Sequence, residues 1–346
     1  MFVKIKNSVE KEISGYIRDL DELHSLSKIS PLLFNNIRQF LLRKGKRIRP
    51  ILLVIGYLGF TRRPAPGLYR SAVSLELLHD FMLVHDDIID KSSTRRGEPS
   101  MHIIFDKYLT GNKFKKFNGQ DLAIVAGDVM YAMALHAFLS IQESPARKER
   151  ALKKLIEAAL YTGSGEFIEL LTGLKNIDEV RKNDIYRIYD LKTANYTFAS
   201  PLGIGATLAG ASPKEISKLF NYGMLIGRAF QIKDDIIGIF SEEDKIGKPN
   251  LTDIKEGKIT LLIWQAFRRS ARSDREIMKR IFSRNDASLA DLKEIRRISS
   301  ETGALSLVKD EVERLIEQSE KILKGSRIKP AYKIMLSKFA KDTLSL

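Results

Sequence analysis

Apolar residues recur every three to four positions along most of the chain. The pattern is clearest in three stretches, at 151–171, 184–197 and 292–323. This spacing is typical of amphipathic helices, and no stretch shows a convincing strand-like alternation. The ten prolines fall mostly between these stripes or at their first turns, where a helix tolerates them. The sequence therefore predicts an all-α protein of ten or more helices.

The composition is that of a folded protein. The 346 residues are 44% hydrophobic and 29% charged, which excludes a chain that is disordered throughout. Because we find no low-complexity linker and no repeat of fixed period, we expect a single domain over residues 1–346. Cysteine is absent, so a metal ion would have to be bound by oxygen or imidazole ligands.

The longest apolar runs, at 51–60 and 199–211, are shorter than the roughly 18 residues of a membrane-spanning helix. We expect a cytoplasmic protein without a transmembrane segment, and peripheral membrane contact stays open. The formal charge of +15 favours an anionic ligand. A polyanion-binding protein is one alternative, but the aromatic residues fall mostly on apolar stripes, and we expect no nucleic-acid partner.

The first candidate site is an acidic run at the end of a predicted helix. His79, Asp86 and Asp90 share one stripe of that helix because they are spaced seven and four residues apart. Two carboxylates one turn apart suit Mg²⁺, which binds one or two carboxylates together with substrate phosphate oxygens. Carboxylates at the carboxyl end of a helix oppose its dipole, which favours a functional reason for this run.

A second acidic pair, Asp234-Asp235, lies on another apolar helix. Gln231 and Asp234 share a face at three-residue spacing, and Gly238 extends that stripe. One acidic pair on a helix is weak evidence, since such pairs are usually solvated. Two pairs, each flanked by apolar helix, favour a metal site.

Basic residues near these pairs complete the pattern. Arg binds phosphate oxygens through two parallel hydrogen bonds, and Lys acts as a point charge. The candidates are Lys46, Arg49, Arg95, Arg96, Lys192, Lys248 and Lys258. Together with the two acidic pairs, these cations predict a site for a metal–diphosphate complex.

Six segments, in this order, resemble the trans-isoprenyl diphosphate synthases. They are GKRIRP (45–50), ELLHDFMLVHDDIIDKSSTRRG (76–97), GD (127–128), KTANYTFASPLG (192–203), FQIKDDIIG (230–238) and GKPNLTDIKEGKIT (247–260). The resemblance implies a helical bundle around a deep central cavity, usually a homodimer. It also implies head-to-tail condensation of isopentenyl diphosphate with an allylic diphosphate (dimethylallyl, geranyl or farnesyl) to an all-trans product.

The resemblance also implies roles for individual residues. Asp86 and Asp90, with Asp87 in support, would bind Mg²⁺ on one side of the allylic diphosphate. Asp234, with Asp235 beside it, would bind a further Mg²⁺ opposite, for up to three ions per active site. The allylic diphosphate would be held by Arg95, Lys192 and Lys258, with Lys248 and Gln231 nearby. Isopentenyl diphosphate would be bound by Lys46, Arg49, His79 and Arg96. Thr193 and Gln231 would face the developing cation.

Product length would depend on the residues beneath the first acidic run. Helix geometry places Met82 one turn before Asp86, and Phe81 on its flank. An aromatic residue five positions before the first aspartate resembles the archaeal type of geranylgeranyl diphosphate synthase. We therefore expect a C20 product, with a farnesyl (C15) product or products of C25 and above as alternatives.

The chain departs from the family pattern at three places, one of which is the segment 106–120, longer and more basic than expected between the arginine pair and Gly127-Asp128. Other functions also stay open. Gly238 stands where many relatives carry a third aspartate, and Gly165-Glu166-Phe167-Ile168-Glu169 stands where many carry Gly-Gln and a later aspartate. A class I terpene cyclase would also use an aspartate-rich motif, but it would need no second diphosphate site. A regulatory subunit of a heteromeric synthase is a further alternative.

Overall fold

A computed structural model describes residues 1–111, 116–240, 252–284 and 286–345. These residues form more than ten helices, which confirms the predicted all-α class. A two-stranded antiparallel hairpin also forms, within a stretch that the sequence predicts as a loop. The predicted diphosphate ligand Lys248 lies outside the described residues.

The chain divides into two compact units. The first comprises Met1–Leu152 with Thr207–Gly210, and the second comprises Lys153–Ala206 with Ala211–Leu346. Each unit contains one of the two acidic groups that the sequence singles out. The single domain expected from the sequence stays a prediction.

The first unit is built around the long helix that carries the first acidic group. That helix, α5, packs most extensively against α7, and also against α1 and α4. The elements are α1 (Phe2–His24), α2 (Leu26–Ile29), α3 (Pro31–Leu42), α4 (Ile48–Leu58), α5 (Leu68–Ile89), β1 (Thr94–Arg95), β2 (Glu98–Pro99), α6 (Met101–Leu109) and α7 (Gly119–Phe138).

The hairpin that follows α5 closes on a two-residue turn. Arg95 pairs with Glu98, so Arg96 and Gly97 form the turn, with φ of 57° and 78°. Two successive left-handed residues define the type I′ turn, whose twist matches that of the flanking strands. Arg43 fastens the hairpin by donating to the carbonyl oxygens of Arg95 at 3.3 Å and Pro99 at 2.8 Å. This turn fixes where the Arg95 and Arg96 side chains begin.

The helix α7 is long enough and apolar enough to cross a membrane. Within the described part of the chain, no other helix meets both conditions. Its most apolar window is 44% buried, and it packs along α5. A single helix of this kind is weak evidence of a membrane span.

The second unit is built around α11, which packs most extensively against a π-helix and α16. The remaining elements are α8 (Pro145–Gly173), α9 (Lys182–Ile188), the π-helix (Tyr189–Ala199), α10 (Ser200–Leu208), α11 (Pro213–Phe240), α12 (Thr252–Lys255), α13 (Leu261–Arg269), α14 (Arg272–Phe282), α15 (Leu289–Glu301), α16 (Ala304–Lys324) and α17 (Pro330–Leu344). Two of these elements cross the division, since α8 begins and α10 ends in the first unit.

The stripe predicted as an α-helix at 184–197 is α9 continued by the π-helix. Two glycines let α11 approach this segment closely. A Cβ at Gly227 would lie 2.3 Å from Ala194 Cα, and one at Gly223 would lie 2.5 Å from Ala199 Cα. Only glycine fits such backbone contact, and π-helical turns are frequent at functional sites. Here the π-helix carries Lys192 and Thr193.

Candidate active site

The first acidic group lies where α5 ends, as the sequence predicts. The helix ends at Ile89, and Asp90 caps it by donating its backbone N–H to the Asp86 carbonyl at 2.8 Å. Asp86 and Asp90 are half-buried, whereas Asp87 between them is fully buried. Neighbouring residues on a helix point about 100° apart, so only one of two adjacent aspartates faces the interior.

The buried aspartate pairs with a residue of the hairpin. Arg95 donates from both Nε and Nη2 to Asp87 Oδ1, and the Nε bond is 2.7 Å long. The other oxygen of Asp87 is buried and accepts no hydrogen bond from the residues that the structure describes. This placement argues against a direct metal contact for Asp87. Its carboxylate instead holds the Arg95 side chain in position.

A buried charge network lies further back along α5. Arg47 Nη1 contacts Glu76 Oε1 at 2.5 Å, Arg47 Nε contacts Glu10 at 2.9 Å, and Arg47 also donates to two backbone carbonyls. Burial would lower the pKa of Arg47, but Glu76 and Glu10 outweigh it and raise that pKa. Arg47 is thus a structural anchor of the GKRIRP segment.

Arg96 reaches the same network. Its Nη2 lies 3.4 Å from Asp80 Oδ1 and 3.6 Å from Glu76 Oε1. Burial, together with the Glu76 carboxylate, raises the pKa of Asp80 well above its ordinary value. Arg96 is therefore tethered to α5 although its own backbone is left-handed.

Three other predicted isopentenyl diphosphate ligands lie in the same unit. Lys46 is exposed, and Arg49 and His79 are half-buried. Burial and the nearby arginines, above all Arg49 and Arg96, lower the pKa of His79 well below 6.5. His79 is therefore a neutral ring at neutral pH, able to donate one hydrogen bond.

The predicted chain-length residues lie at the contact between α5 and α7. The Phe81 ring packs edge-on against His85, with centroids 4.7 Å apart, and lies 5.4 Å from Tyr131. Gly127 of α7 allows this approach, since a Cβ there would lie 2.5 Å from His85 Nε2. Phe81 and Met82 are both half-buried.

The second acidic group repeats the division seen in the first. Asp234 is exposed, and Asp235 is buried. Asp235 Oδ1 accepts from Gln231 Nε2 at 2.9 Å, and Oδ2 accepts from the Tyr189 hydroxyl. Because both oxygens are engaged and buried, this placement argues against Asp235 as a direct metal ligand.

A chain of hydrogen bonds extends from Asp235 to the π-helix. Thr193 Oγ1 donates to Gln231 Oε1 at 2.7 Å, and Gln231 donates onward to Asp235. Tyr189 accepts from the Leu261 N–H at 2.8 Å. Burial and Asp235 raise the pKa of Tyr189, so its hydroxyl keeps its proton. The predicted pair Thr193 and Gln231 is thus held in one orientation.

Two of the predicted diphosphate-binding lysines lie beside glutamates of α8. Lys192 Nζ lies 2.5 Å from Glu166 Oε2 and 2.5 Å from Glu169 Oε2. Lys258 Nζ lies 3.7 Å from Glu169 Oε1. Burial would raise the pKa of Glu169, but Lys258 and Lys192 outweigh it and lower that pKa.

Sequence reasoning missed several residues that support the predicted ligands. A signal was present for some of them, because Glu76 and Asp80 are one turn apart on α5, and Glu166 and Glu169 were visible as departures from the family pattern. The missed residues are Arg47, Glu76, Asp80, Glu166, Glu169 and Tyr189.

The accessible carboxylates fit magnesium on the chemistry of their donors. Asp86, Asp90 and Asp234 offer hard oxygen ligands that are not fully buried. The described residues contain no cluster of three or more His, Asp or Glu arranged to hold an ion. Mg²⁺ needs only one or two protein carboxylates when substrate phosphates supply the other ligands.

Comparisons with known proteins identify the family. Residues 30–299 match the family model described as polyprenyl synthetase. A geranylfarnesyl diphosphate synthase of Aeropyrum pernix is 35% identical over 285 residues, which cover 81% of this chain and 83% of the relative. A geranylgeranyl diphosphate synthase of Saccharolobus solfataricus is 30% identical over 336 residues, covering 93% and 90%.

The fold has a close counterpart among solved structures. The geranylgeranyl pyrophosphate synthase of Corynebacterium glutamicum, complexed with isoprenyl diphosphate and magnesium, superposes with a TM-score of 0.89 at 28% identity, covering 99% of this chain and 98% of that one. The chain belongs to the polyprenyl synthetase family and is an isoprenyl diphosphate synthase.

Proposed function

We propose that the protein condenses isopentenyl diphosphate with dimethylallyl, geranyl or farnesyl diphosphate, head to tail, to geranylgeranyl diphosphate. The observation that supports this proposal is that each acidic group contains a buried aspartate with a hydrogen-bond partner and at least one aspartate that is accessible. Asp87 and Asp235 are turned inward and paired, while Asp86, Asp90 and Asp234 keep accessible carboxylates. The named relatives support this product, and the geranylfarnesyl synthase among them supports C25 as the alternative.

Asp86, Asp90 and Asp234 would hold magnesium, up to three ions in all. The bound ions would neutralise negative charge on the allylic diphosphate as its C–O bond breaks. Support comes from the hard oxygen donors and from the magnesium complex of the Corynebacterium glutamicum enzyme.

The cations divide into two sets. Arg95, Lys192 and Lys258, with Lys248, hold the allylic diphosphate. Lys46, Arg49, Arg96 and the neutral His79 bind isopentenyl diphosphate. Because Arg95 and Arg96 are each tethered by a buried carboxylate, their forks are preorganised and lose little rotational freedom on binding.

Thr193 and Gln231 stabilise the allylic cation through their oxygen dipoles. The bond from Thr193 to Gln231 fixes both oxygens before the substrate arrives. The isopentenyl double bond attacks the cation, a new C–C bond forms, and a proton leaves to restore an alkene. We assign no side chain as the base, and the departing diphosphate accepts the proton.

Phe81 limits the growing chain. Its ring is held by His85 and Tyr131, so it offers a fixed wall beneath the first acidic group. A wall of packed aromatic rings gives a narrow distribution of product chain lengths, because protein interiors deform little.

The protein acts as a homodimer in the cytoplasm. Support for the dimer comes from the outer face of α8, where Ile156, Leu160, Phe167, Leu170 and Leu171 are exposed. They recur at helical spacing and form one apolar stripe. A stripe of this kind suits a second copy, because a two-fold axis brings the same face of both chains together.

The decisive experiment supplies purified protein with Mg²⁺, isopentenyl diphosphate and a C5, C10 or C15 allylic diphosphate. We expect isopentenyl diphosphate to be consumed and C20 diphosphate to accumulate. Asp86→Ala and Asp234→Ala should lower turnover by about two orders of magnitude or more, whereas the exposed Asp310→Ala should not. Ionisation of the allylic substrate without consumption of isopentenyl diphosphate would instead indicate a terpene cyclase.

A further inference from the structure

The hairpin that carries Arg95 and Arg96 is held by an arginine at the end of α3. Arg43 donates from Nη1 to the Arg95 carbonyl oxygen at 3.3 Å and from Nη2 to the Pro99 carbonyl oxygen at 2.8 Å. Arg95 lies in β1 and Pro99 lies in β2, so one guanidinium bridges both strands. The planar, rigid fork of arginine suits such a bridge, because its donors are fixed relative to one another.

The bridging side chain is itself held at its base. The Arg43 guanidinium lies 4.7 Å from the centroid of the Phe40 ring of α3, a cation–π contact. The Arg43 carbonyl oxygen accepts from Arg47 Nη2 at 2.7 Å, and Arg47 is buried beside Glu76 of α5. The bridge therefore connects the hairpin to the buried charge network of the first unit.

The hairpin is too short to define its own conformation. Each strand has two residues, and an isolated two-stranded hairpin is at best marginally stable in water. Its turn holds Arg96 at a φ of 57°, a left-handed backbone that is uncommon for residues other than glycine. Contacts from outside must therefore stabilise the turn. Arg43 contacts its backbone, whereas the ion pairs to α5 involve side chains.

We propose that Arg43 is a positioning residue for both diphosphate sites, because its bridge fixes the backbone from which Arg95 and Arg96 project. This inference rests on the proposed roles of those two arginines. Without the bridge, the hairpin has to be ordered when a diphosphate binds, and this ordering weakens the affinity. Loss of Arg43 should therefore weaken the binding of both substrates, which loss of a ligand to one diphosphate would not do.

Arg43→Gln removes the bridge together with one charge. Isopentenyl diphosphate, and separately inorganic pyrophosphate with Mg²⁺, are titrated calorimetrically into the full-length protein. We expect both dissociation constants to rise about three- to tenfold, the range for the loss of a hydrogen bond to a charged group. The matched control Arg38→Gln removes the same charge from an exposed position on α3 and should leave both constants unchanged. Weaker binding of one ligand alone would overturn the proposal.

Arg43→Lys separates the bridge from simple attraction of an anion. This variant keeps the charge, but its ammonium lacks the rigid fork that reaches both strands. We expect the two dissociation constants to rise nearly as much as in Arg43→Gln. Parent-like affinity in Arg43→Lys would show that charge is sufficient and would overturn the proposal.

Hydrogen exchange measured by mass spectrometry tests the effect on the hairpin directly. The Ser100 N–H donates to the Ser93 carbonyl oxygen at 3.0 Å, where the two strands meet the rest of the chain. In Arg43→Gln, amides of residues 93–100 should exchange about threefold faster or more, because local opening sets their rate. Amides of α16 should keep their parent rates, which general loss of structure would not allow. Weaker binding with unchanged exchange at 93–100 would contradict a positioning role.

A double-variant comparison shows whether the effect on isopentenyl diphosphate passes through Arg96. Arg96→Gln should weaken binding, and adding Arg43→Gln should change the affinity little further. A full additional loss would overturn the proposal.

Turnover measurements separate this inference from the proposed reaction. If the parent protein does not condense the substrates but Arg43→Gln still weakens the binding of both ligands, the proposed function fails and the role of Arg43 stands. If the parent condenses them and both Arg43 variants bind as the parent does, the inference fails and the proposed function stands.

Discussion

Asp87 accepts two hydrogen bonds from Arg95 on a single oxygen, in a pair that joins the end of α5 to the hairpin after it. Asp87 is fully buried and the Arg95 side chain is 12% exposed. Removing one partner of a buried pair leaves the other charge uncompensated, which costs far more than the pair itself contributes. The relationship therefore ties the stability of this region to the placement of a predicted diphosphate ligand.

Asp87→Ala should destabilise the protein by about 3 kcal/mol because the Arg95 guanidinium loses its buried partner. Urea unfolding measures this change. Asp86→Asn is the matched control on the same turn, since Asp86 is half-buried. We expect Asp86→Asn to keep the unfolding midpoint and lose activity. If Asp87→Ala were as stable as the parent protein, the pair would have no structural role.

Sequence reasoning located both acidic groups, and helix spacing put Asp86 on the stripe of His79 and Asp90. It still kept Asp87 among the metal ligands, because periodicity does not show that Asp87 is paired inside the protein. That pairing depends on Arg95, whose position requires a hairpin turn with left-handed Arg96 and Gly97. A turn of this kind carries a weak sequence signal because Arg at a left-handed position is unusual. Contacts that join distant segments, such as the one from Asp235 to Tyr189, leave no periodic pattern at all.

Replacing aspartate by asparagine should mainly lower stability at Asp235 and mainly lower turnover at Asp234. Asp235→Asn disturbs a buried hydrogen bond from Tyr189 and a partly buried one from Gln231, and should cost about 1–3 kcal/mol of unfolding free energy. Asp234→Asn lies at an exposed position and should change stability by less than about 0.5 kcal/mol, while turnover falls steeply. Paired urea unfolding and turnover assays test this. Equal loss of stability in the two variants would contradict the assignment.

His79 should make the protein less stable in mild acid. Its pKa in the folded protein lies well below 6.5, so the folded ring stays neutral where the unfolded chain begins to bind a proton. The unfolding free energy should therefore fall as the pH drops below about 6.5, by at most about 1.4 kcal/mol per pH unit. His79→Gln, which cannot take up the proton, should flatten this dependence. Unfolding curves of both proteins between about pH 5 and 8 test this prediction. If the unfolding free energy of the variant depends on pH as steeply as that of the parent protein, His79 does not have this role.

The close contact between α5 and α7 should not tolerate a methyl group at Gly127. In Gly127→Ala the new Cβ would lie 2.5 Å from His85 Nε2, and that ring is already packed against Phe81. Overpacking of this kind typically costs about 1–3 kcal/mol. Gly15→Ala is the matched control, because nothing lies within 4 Å of a Cβ there, and it should stabilise α1 by about 0.5–1 kcal/mol. A stable Gly127→Ala protein would mean that His85 moves freely.

The apolar stripe on α8 should hold two copies of the chain together. Leu160 and Phe167 are each 64% exposed and lie two turns apart on the same face. A charge placed there would be buried without a partner on association, a cost of several kcal/mol that each subunit would bear. Leu160→Glu and Phe167→Glu should therefore convert a dimer into a monomer in sedimentation velocity. Leu23→Glu, at a similarly exposed leucine on α1, should leave the dimer intact. A monomeric parent protein, or a dimer that survives both changes on α8, would rule out this face as the interface.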